Sequence, residues 1–160
     1  MSNLSGFVKR IRDIMRNDAG INGDAQRIEQ MAWMLFLKVY DSKEEDWEFS
    51  DSNYKSIIPE ECRWRNWAKD DKSGKAMTNE VLLDFVNNKL FPTLKNLEIT
   101  PQTPMSKAIV KTTFEDANNY MKDGVQLRQV LNEIDELDLG DYEESHAFGE
   151  IYESILRELQ

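Results

Sequence analysis

The first forty residues constrain the fold of this chain most, because they join an amphipathic helix to a helix that is apolar on almost every side. Residues 28–40 turn an apolar side chain to nearly every direction, and such a helix in a globular protein is buried among other helices. Residues 4–16 show the i, i+3, i+4, i+7 spacing of a single apolar helix face. The members of that face are Leu4, Phe7, Val8, Ile11, Ile14 and Met15. The pattern predicts a core built from helices.

A loop and a charged flank accompany these two helices. Residues 17–23 contain two glycines and two asparagines, which is typical of a helix stop followed by a loop. Asp24 is predicted to be the N-cap of the second helix. The flank of the first helix opposite its apolar face carries Lys9, Arg12 and Arg16. These three cations are candidate contacts for DNA phosphates, and the alternative is an ordinary solvated helix face.

The chain beyond residue 40 is predicted to contain loops and helices, since no segment alternates strictly between apolar and polar residues over five or more positions. The acidic segment 41–51 is predicted to be irregular, with Trp47 and Phe49 packing it back onto the core. A short helix is predicted from Pro59 through Trp67. A polar surface loop then separates this helix from the next one.

Four later helices are predicted from apolar spacing and from helix start signals. Thr78 is the predicted cap of the first, which Pro92 ends or kinks. The second starts at Pro104, and the last two span residues 124–137 and 143–159. Their assigned apolar positions are Val81, Leu82, Phe85, Val86 and Leu90; Ile109, Val110 and Phe114; Leu127, Val130, Leu131 and Ile134; and Phe148, Tyr152, Ile155, Leu156 and Leu159. The prediction is an all-α, multi-helix orthogonal bundle of about six to eight helices, with no substantial sheet.

Size, cysteine content and hydropathy indicate the class of protein. The 160 residues, 40% hydrophobic and 31% charged, suit one globular domain over residues 1–160. The single cysteine cannot form an internal disulfide, and no secretory leader or long apolar span is recognised. These features predict a cytoplasmic protein that does not cross a membrane.

The negative charge of the chain is concentrated near its C-terminus. The formal net charge is −10, which by itself disfavours binding to nucleic-acid phosphates. Residues 1–40 hold six Lys or Arg against four Asp or Glu, whereas residues 115–160 hold three against thirteen. The basic flank of the first helix is therefore the principal candidate to face a nucleic acid. A secondary group consists of Arg63, Arg65, Lys69, Lys72 and Lys75.

No residue pattern predicts a catalytic, cofactor or metal site. The glycines are isolated, so the chain has neither a Gly-rich cofactor turn nor a P-loop. Glu143 and His146 have the spacing used by di-iron helical bundles, but the chain has only one histidine. Cys62 is predicted to be a small buried filler rather than a nucleophile.

A motif in the first helical pair carries a family resemblance. Its residues are Arg16, Asp18, Gly20, Asp24, Arg27 and Leu35-Phe36-Leu37-Lys38. Two further patches agree with it: residues 58–64, and residues 134–139 together with 146–153. Together they resemble the N-terminal helical domain of the M (DNA methyltransferase) subunit of type I restriction-modification systems.

The resemblance implies a non-catalytic domain whose catalytic partner domain follows beyond residue 160. In that family the complete subunit is an enzyme that transfers a methyl group from S-adenosylmethionine to the amino group of adenine. This chain alone is expected not to transfer a methyl group. In the family an Asn-Pro-Pro-aromatic loop holds the adenine, and none of the four prolines of this chain lies in such a sequence. The implied role is to help assemble the complex and close it around DNA. The implied partners are DNA, a specificity subunit, a second M subunit and a restriction subunit.

Two other classes of function stay open from the residues alone. The acidic C-terminal region suits a stand-alone helical adaptor or DNA mimic that occupies a basic groove. A small helical enzyme with a site that the sequence does not reveal is the other alternative.

Overall fold

The computed structural model describes residues 4–137, and these residues form helices joined by loops, with no strand among them. The all-α prediction is confirmed. The helix predicted at 143–159, together with Glu143 and His146, lies outside the described residues. In chain order the elements are α1 (Leu4–Arg16), α2 (Gly23–Ser50), a 3-10 turn (Glu60–Cys62), α3 (Trp64–Trp67), α4 (Asn79–Phe85), a π-helical turn (Val86–Leu90), α5 (Phe91–Lys95), α6 (Met105–Glu115) and α7 (Gly124–Asp135).

Helix α1 follows its predicted span and packs against α7. Phe7, Ile11 and Met15 are buried, at the four-residue spacing that places side chains on one helix face. Beside this face, Arg10 Nε donates to Glu133 Oε1 of α7 at 2.6 Å. Apolar packing and a surface ion pair therefore hold α1 to α7.

Helix α2 begins one residue before Asp24. Asn22 occupies the N-cap position, so the prediction that Asp24 is the cap is wrong. Gly23 adopts φ +82°, a left-handed conformation that glycine tolerates without strain. The chain therefore turns into the helix at Gly23, and Asp24 in the first turn binds Arg27 instead.

The second half of α2 contradicts the prediction of an irregular segment at 41–51, because the helix continues to Ser50. Trp47 does pack back, with its ring centroid 5.6 Å from that of Tyr40 and 5.8 Å from that of Tyr54. Phe49 does not, and its side chain is 94% exposed. Two residues advance a helix by about 200°, so Trp47 and Phe49 cannot share a face.

Helices α4 and α5 form one continuous helical segment through the π turn between them. Pro92 has no N–H, and its ring crowds the carbonyl four residues earlier in a regular helix. Just before it, the Phe91 N–H bonds to the Val86 carbonyl oxygen, five residues back, and the helix continues to Lys95. Pro92 therefore does not end the helix, because the wider π turn accommodates it.

The centre of the core is aromatic. Trp33 of α2 lies edge-on to Phe91 with ring centroids 4.9 Å apart, and edge-on to Phe114 at 6.3 Å. Trp67 stacks on Trp33 at 6.5 Å. Such pairs add to the free energy gained by burying their area. The core thus joins α2 to α3, α5 and α6.

Among the apolar positions predicted in the later helices, most of those that the structure describes are buried, Phe85 is partly buried, and two are exposed. Val81 is 65% exposed and Ile109 is 42% exposed, so both assignments to the core are wrong. Each precedes a fully buried neighbour, Leu82 or Val110, and one residue turns a helix by 100°. The assignments confirmed as buried are Leu82, Val86, Leu90, Val110, Phe114, Leu127, Val130, Leu131 and Ile134.

Within residues 4–137, no helix combines the length and apolarity that a membrane crossing requires.

Candidate nucleic-acid interface

The basic flank of α1 forms one surface. Lys9 and Arg16 are exposed and Arg12 is partly exposed. Around a helix of 3.6 residues per turn, these positions fall within about 60° of each other. The buried face of α1 lies on the other side of the helix. We call Lys9, Arg12 and Arg16 the α1 basic stripe.

Two carboxylates reduce the positive charge of this stripe. Asp13 Oδ1 lies 3.6 Å from Arg16 Nη1 in an exposed ion pair. Asp24 binds Arg27, whose hydrogen bond and charge hold the Asp24 pKa below its ordinary value, with smaller contributions from Arg12 and Arg16. The stripe is therefore a modest cationic surface rather than a strong one.

The structure removes Arg63 from the secondary group of candidates. Its side chain is 5% exposed. Its guanidinium contacts Glu48 at 2.7 Å, Glu60 at 3.2 Å and the buried Glu44 at 3.5 Å. The hydrogen bond from Arg63 is the main cause that lowers the pKa of Glu48. An arginine enclosed by three carboxylates belongs to the interior ion pairs of the fold and does not face a nucleic acid.

Arg65 is also paired, but it lies at the edge of a cleft. Its Nε donates to Asp41 at 2.9 Å and its Nη1 to Glu48 at 2.9 Å. The adjoining cleft of ≈ 240 Å³ is lined by Arg65, Lys69 and Lys75 among others. Lys69, Lys72 and Lys75 belong to an exposed loop, as predicted for this polar segment. These lysines remain accessible cations.

Asp18 and Gly20, two residues of the sequence motif, fasten the α1–α2 loop. Asp18 is 2% exposed, and its carboxylate accepts the backbone N–H groups of Gly20 at 2.8 Å, Lys122 at 2.9 Å and Asp123 at 2.9 Å. A Cβ on Gly20 would lie 2.0 Å from the Tyr120 carbonyl oxygen, closer than any side chain permits. The motif thus joins the α1–α2 loop to the segment before α7.

Gln30 extends this attachment from α2. It is fully buried, and its amide donates to Asn119 Oδ1 at 2.8 Å while its Oε1 accepts the Tyr120 N–H at 2.7 Å. No sequence pattern predicts a role for Gln30. The one indication in the sequence is an amide among the apolar residues of α2, because a buried polar side chain requires hydrogen-bond partners.

Lys38, near the middle of α2, binds the C-terminal end of α7. Its Nζ lies 3.1 Å from the Asp135 carbonyl oxygen and 3.3 Å from Asp135 Oδ1. Trp64 Nε1 donates to the same carboxylate oxygen at 2.8 Å. A cation at the last carbonyls of a helix is stabilising. Lys38 therefore has a structural function at the point where α7 ends.

Cys62 and the residue types that bind metals were the remaining candidates for chemistry in the described part of the chain. Cys62 is fully buried, and burial raises the pKa of its thiol, which disfavours the reactive thiolate. The prediction of a buried filler is confirmed. Residues 4–137 contain no group of three or more His, Cys, Asp or Glu side chains placed to hold a metal ion.

Comparison with known proteins gives a consistent result. The family described as the HsdM N-terminal domain matches residues 4–134. The type I restriction enzyme EcoEI methylase subunit of Escherichia coli is 47% identical over 157 residues, which cover 98% of this chain. The chain spans 31% of the length of that relative, so the relative continues well beyond the aligned region.

Two solved structures share the fold. A modification subunit assigned to a type I restriction enzyme from Vibrio vulnificus aligns with a TM-score of 0.83 and 29% identity, over 98% of this chain and 35% of that one. A chain of a type I restriction-modification system, from a structure concerned with complex assembly and conformational transition, aligns with a TM-score of 0.75 and 30% identity. That alignment covers 96% of this chain and 30% of the other. A stand-alone acidic adaptor receives no support from these relatives.

Proposed function

This chain belongs to the HsdM N-terminal domain family, as the N-terminal domain of a type I restriction-modification methylase subunit, and from that premise we propose that it assembles the enzyme and closes it around DNA. We assign the chemistry to a catalytic domain beyond residue 160. That domain binds S-adenosylmethionine and transfers its methyl group to the amino group of adenine. The alignment with the EcoEI methylase subunit supports this division, because the chain spans only 31% of the length of that subunit.

A supporting role suits the way the motif residues are used. Asp18, Gly20 and Lys38 all serve contacts between helices. Side chains committed to such contacts are not available to a substrate. The described domain is therefore a preorganised body that can present fixed surfaces to other parts of an enzyme.

DNA is the proposed ligand of the α1 basic stripe. Lysine and arginine side chains that contact phosphates position a protein on a duplex without reading its bases. Recognition of the DNA sequence then falls to a separate specificity subunit. The other proposed partners are a second methylase subunit and a restriction subunit, and the proposed location of the complex is the cytoplasm.

The test of this DNA role uses the complete methylase subunit assembled with its specificity subunit. Lys9→Ala/Arg12→Ala/Arg16→Ala should weaken binding to specific and non-specific duplexes by comparable factors, and it should flatten the dependence of affinity on salt. Arg10→Ala is the matched control, because Arg10 lies on the neighbouring flank and pairs with Glu133. Wild-type affinity and salt dependence in the triple variant would show that the stripe does not contact DNA.

A further inference from the structure

The loop between α3 and α4 is held at both of its ends by one buried arginine. Arg128 of α7 is 7% exposed. Its guanidinium donates to the carbonyl oxygens of Ala68 and Met77, the latter at 3.0 Å. These carbonyls flank residues 69–76, which we call the lysine loop. The loop therefore projects from a fixed base rather than from a free linker.

The two aspartates of the lysine loop are engaged by its own backbone. Asp70 Oδ1 accepts the Lys72 N–H at 2.9 Å, and Asp71 Oδ1 accepts the Ser73 N–H at 3.0 Å. Such turns are typical of aspartate in tight loops. Within residues 4–137, the ammonium groups of Lys69, Lys72 and Lys75 take part in no hydrogen bond or ion pair shorter than 4.0 Å.

Several other cations of the described residues are engaged in contacts within the fold. Arg63, Arg65 and Lys89 form ion pairs with carboxylates. Lys95 and Lys111 donate to backbone carbonyl oxygens. The lysine loop thus gathers three accessible cations within seven residues of a chain whose net charge is −10.

A cleft beside the loop gives these cations a concave surface. Its volume is ≈ 240 Å³, and its lining includes Arg65, Lys69 and Lys75, with Asp71 as the only carboxylate. The two carboxylates that pair with Arg65 neutralise it, and Asp71 offsets one of the two lysines in the lining. An anion in the cleft would therefore meet a weakly positive field.

We propose that the lysine loop contacts the phosphate backbone of duplex DNA in the assembled enzyme, as a second site apart from the α1 basic stripe. Flexible lysines act as point charges toward phosphate, without the planar fork by which arginine selects a geometry. The contact therefore adds affinity without sequence preference. This inference rests on the proposed closure around DNA and extends it to another surface of the domain. Helix α7 contacts both proposed sites. Its Arg128 binds the base of the lysine loop, and its Glu133 pairs with Arg10 of α1.

The test measures duplex binding by the complete methylase subunit assembled with its specificity subunit. Lys69→Ala/Lys72→Ala/Lys75→Ala should reduce affinity for a random-sequence duplex and for a duplex that the enzyme methylates by similar factors. The slope of log affinity against log salt should flatten by about 0.9 for each phosphate that the variant no longer neutralises. If all three lysines neutralise phosphates, the drop in affinity between 50 and 200 mM salt should shrink by up to about 40-fold.

Two controls separate charge at this site from charge in general. Lys69→Arg/Lys72→Arg/Lys75→Arg keeps the charge and should retain the wild-type salt slope. Lys55→Ala/Lys122→Ala removes two exposed lysines elsewhere, and it should change the slope less than Lys69→Ala/Lys72→Ala does. If the two double variants changed the salt slope equally, the loss of net charge alone would explain the effect, and the proposal would be overturned.

The remaining outcomes are also decisive. An unchanged slope in the triple alanine variant, while the α1 basic stripe variant still weakens binding, would overturn the loop proposal and leave the proposed function standing. Loss of complex assembly in the triple variant, seen by sedimentation, would identify the loop as a contact for an acidic protein surface and overturn its assignment to DNA. If neither variant altered DNA binding, the proposed closure around DNA would itself fail.

Discussion

At the scale of single residues, the buried carboxylate of Asp18 makes the sharpest prediction. Three backbone N–H groups donate to it, and without it they lack charge-assisted hydrogen bonds in a buried site. Asp18→Ala should lower the free energy of unfolding of the 160-residue chain by at least about 2 kcal/mol in urea denaturation. Asp13→Ala is the control, since Asp13 is exposed and its pair is worth at most about 1 kcal/mol. Equal losses of stability in both variants would contradict the role assigned to Asp18.

Residue patterns located the buried apolar positions better than they located the buried polar ones. Periodicity identified Ile11 and Leu127, because apolar spacing reports directly on a buried face. It could not identify Gln30 or Arg128, whose partners lie 89 and 60 residues away in the chain. Burial of a polar side chain depends on partners that only the tertiary structure brings together.

At the scale of the element, α2 should be the helix whose weakening destabilises the fold most. Leu35 is fully buried, and removing its branched side chain would leave a cavity that rigid neighbours cannot fill. Leu35→Ala should lower the free energy of unfolding by about 2–5 kcal/mol. Phe49→Ala on the same helix is the control, because Phe49 is 94% exposed. A decrease below about 1 kcal/mol for Leu35→Ala, measured by urea denaturation, would show that α2 is peripheral.

Two features at this scale do not follow from local sequence pattern. They are the length of α2 and the π turn before Pro92. The acidic run at 41–51 predicts an irregular segment, yet Arg63 and Arg65 from later in the chain pair with its carboxylates. These ion pairs offset the repulsion among the carboxylates of the second half of α2, and local pattern could not reveal them. The π turn before Pro92 is likewise not predicted by the sequence pattern, and Leu90 and Phe91 beside it are buried in the core.

In the candidate interface, the sequence predicts which cations share a helix face but not which cations are buried. Helical spacing predicts that Lys9, Arg12 and Arg16 share one exposed flank, and the structure agrees. The sequence also groups Arg63 with the accessible cations, although the structure buries it among carboxylates. Spacing shows which side chains share a face, but burial of a charge depends on which acids fold against it.

At the scale of the whole molecule, this domain is expected to lack the methyl-transfer activity proposed for the full subunit. The purified 160-residue chain should show no binding of S-adenosylmethionine in calorimetry and no methyl transfer to adenine-containing duplexes. The reason is the absence of a Gly-rich cofactor turn and of an Asn-Pro-Pro-aromatic loop from its sequence. Micromolar binding of S-adenosylmethionine by this chain would place part of the cofactor site inside the domain.

The proposed function requires this domain for assembly and for engagement of DNA, and it places the methyl-transfer chemistry elsewhere in the subunit. The most direct measurement compares methyl transfer to duplex DNA by the reconstituted enzyme with transfer by an enzyme whose methylase subunit lacks residues 1–137. Calorimetry of the truncated subunit with S-adenosylmethionine provides the control for its folding. We expect the truncated subunit to bind S-adenosylmethionine but to form no active complex on DNA. Methyl transfer at the wild-type rate by the truncated enzyme would show that the domain is needed neither for assembly nor for engagement of DNA.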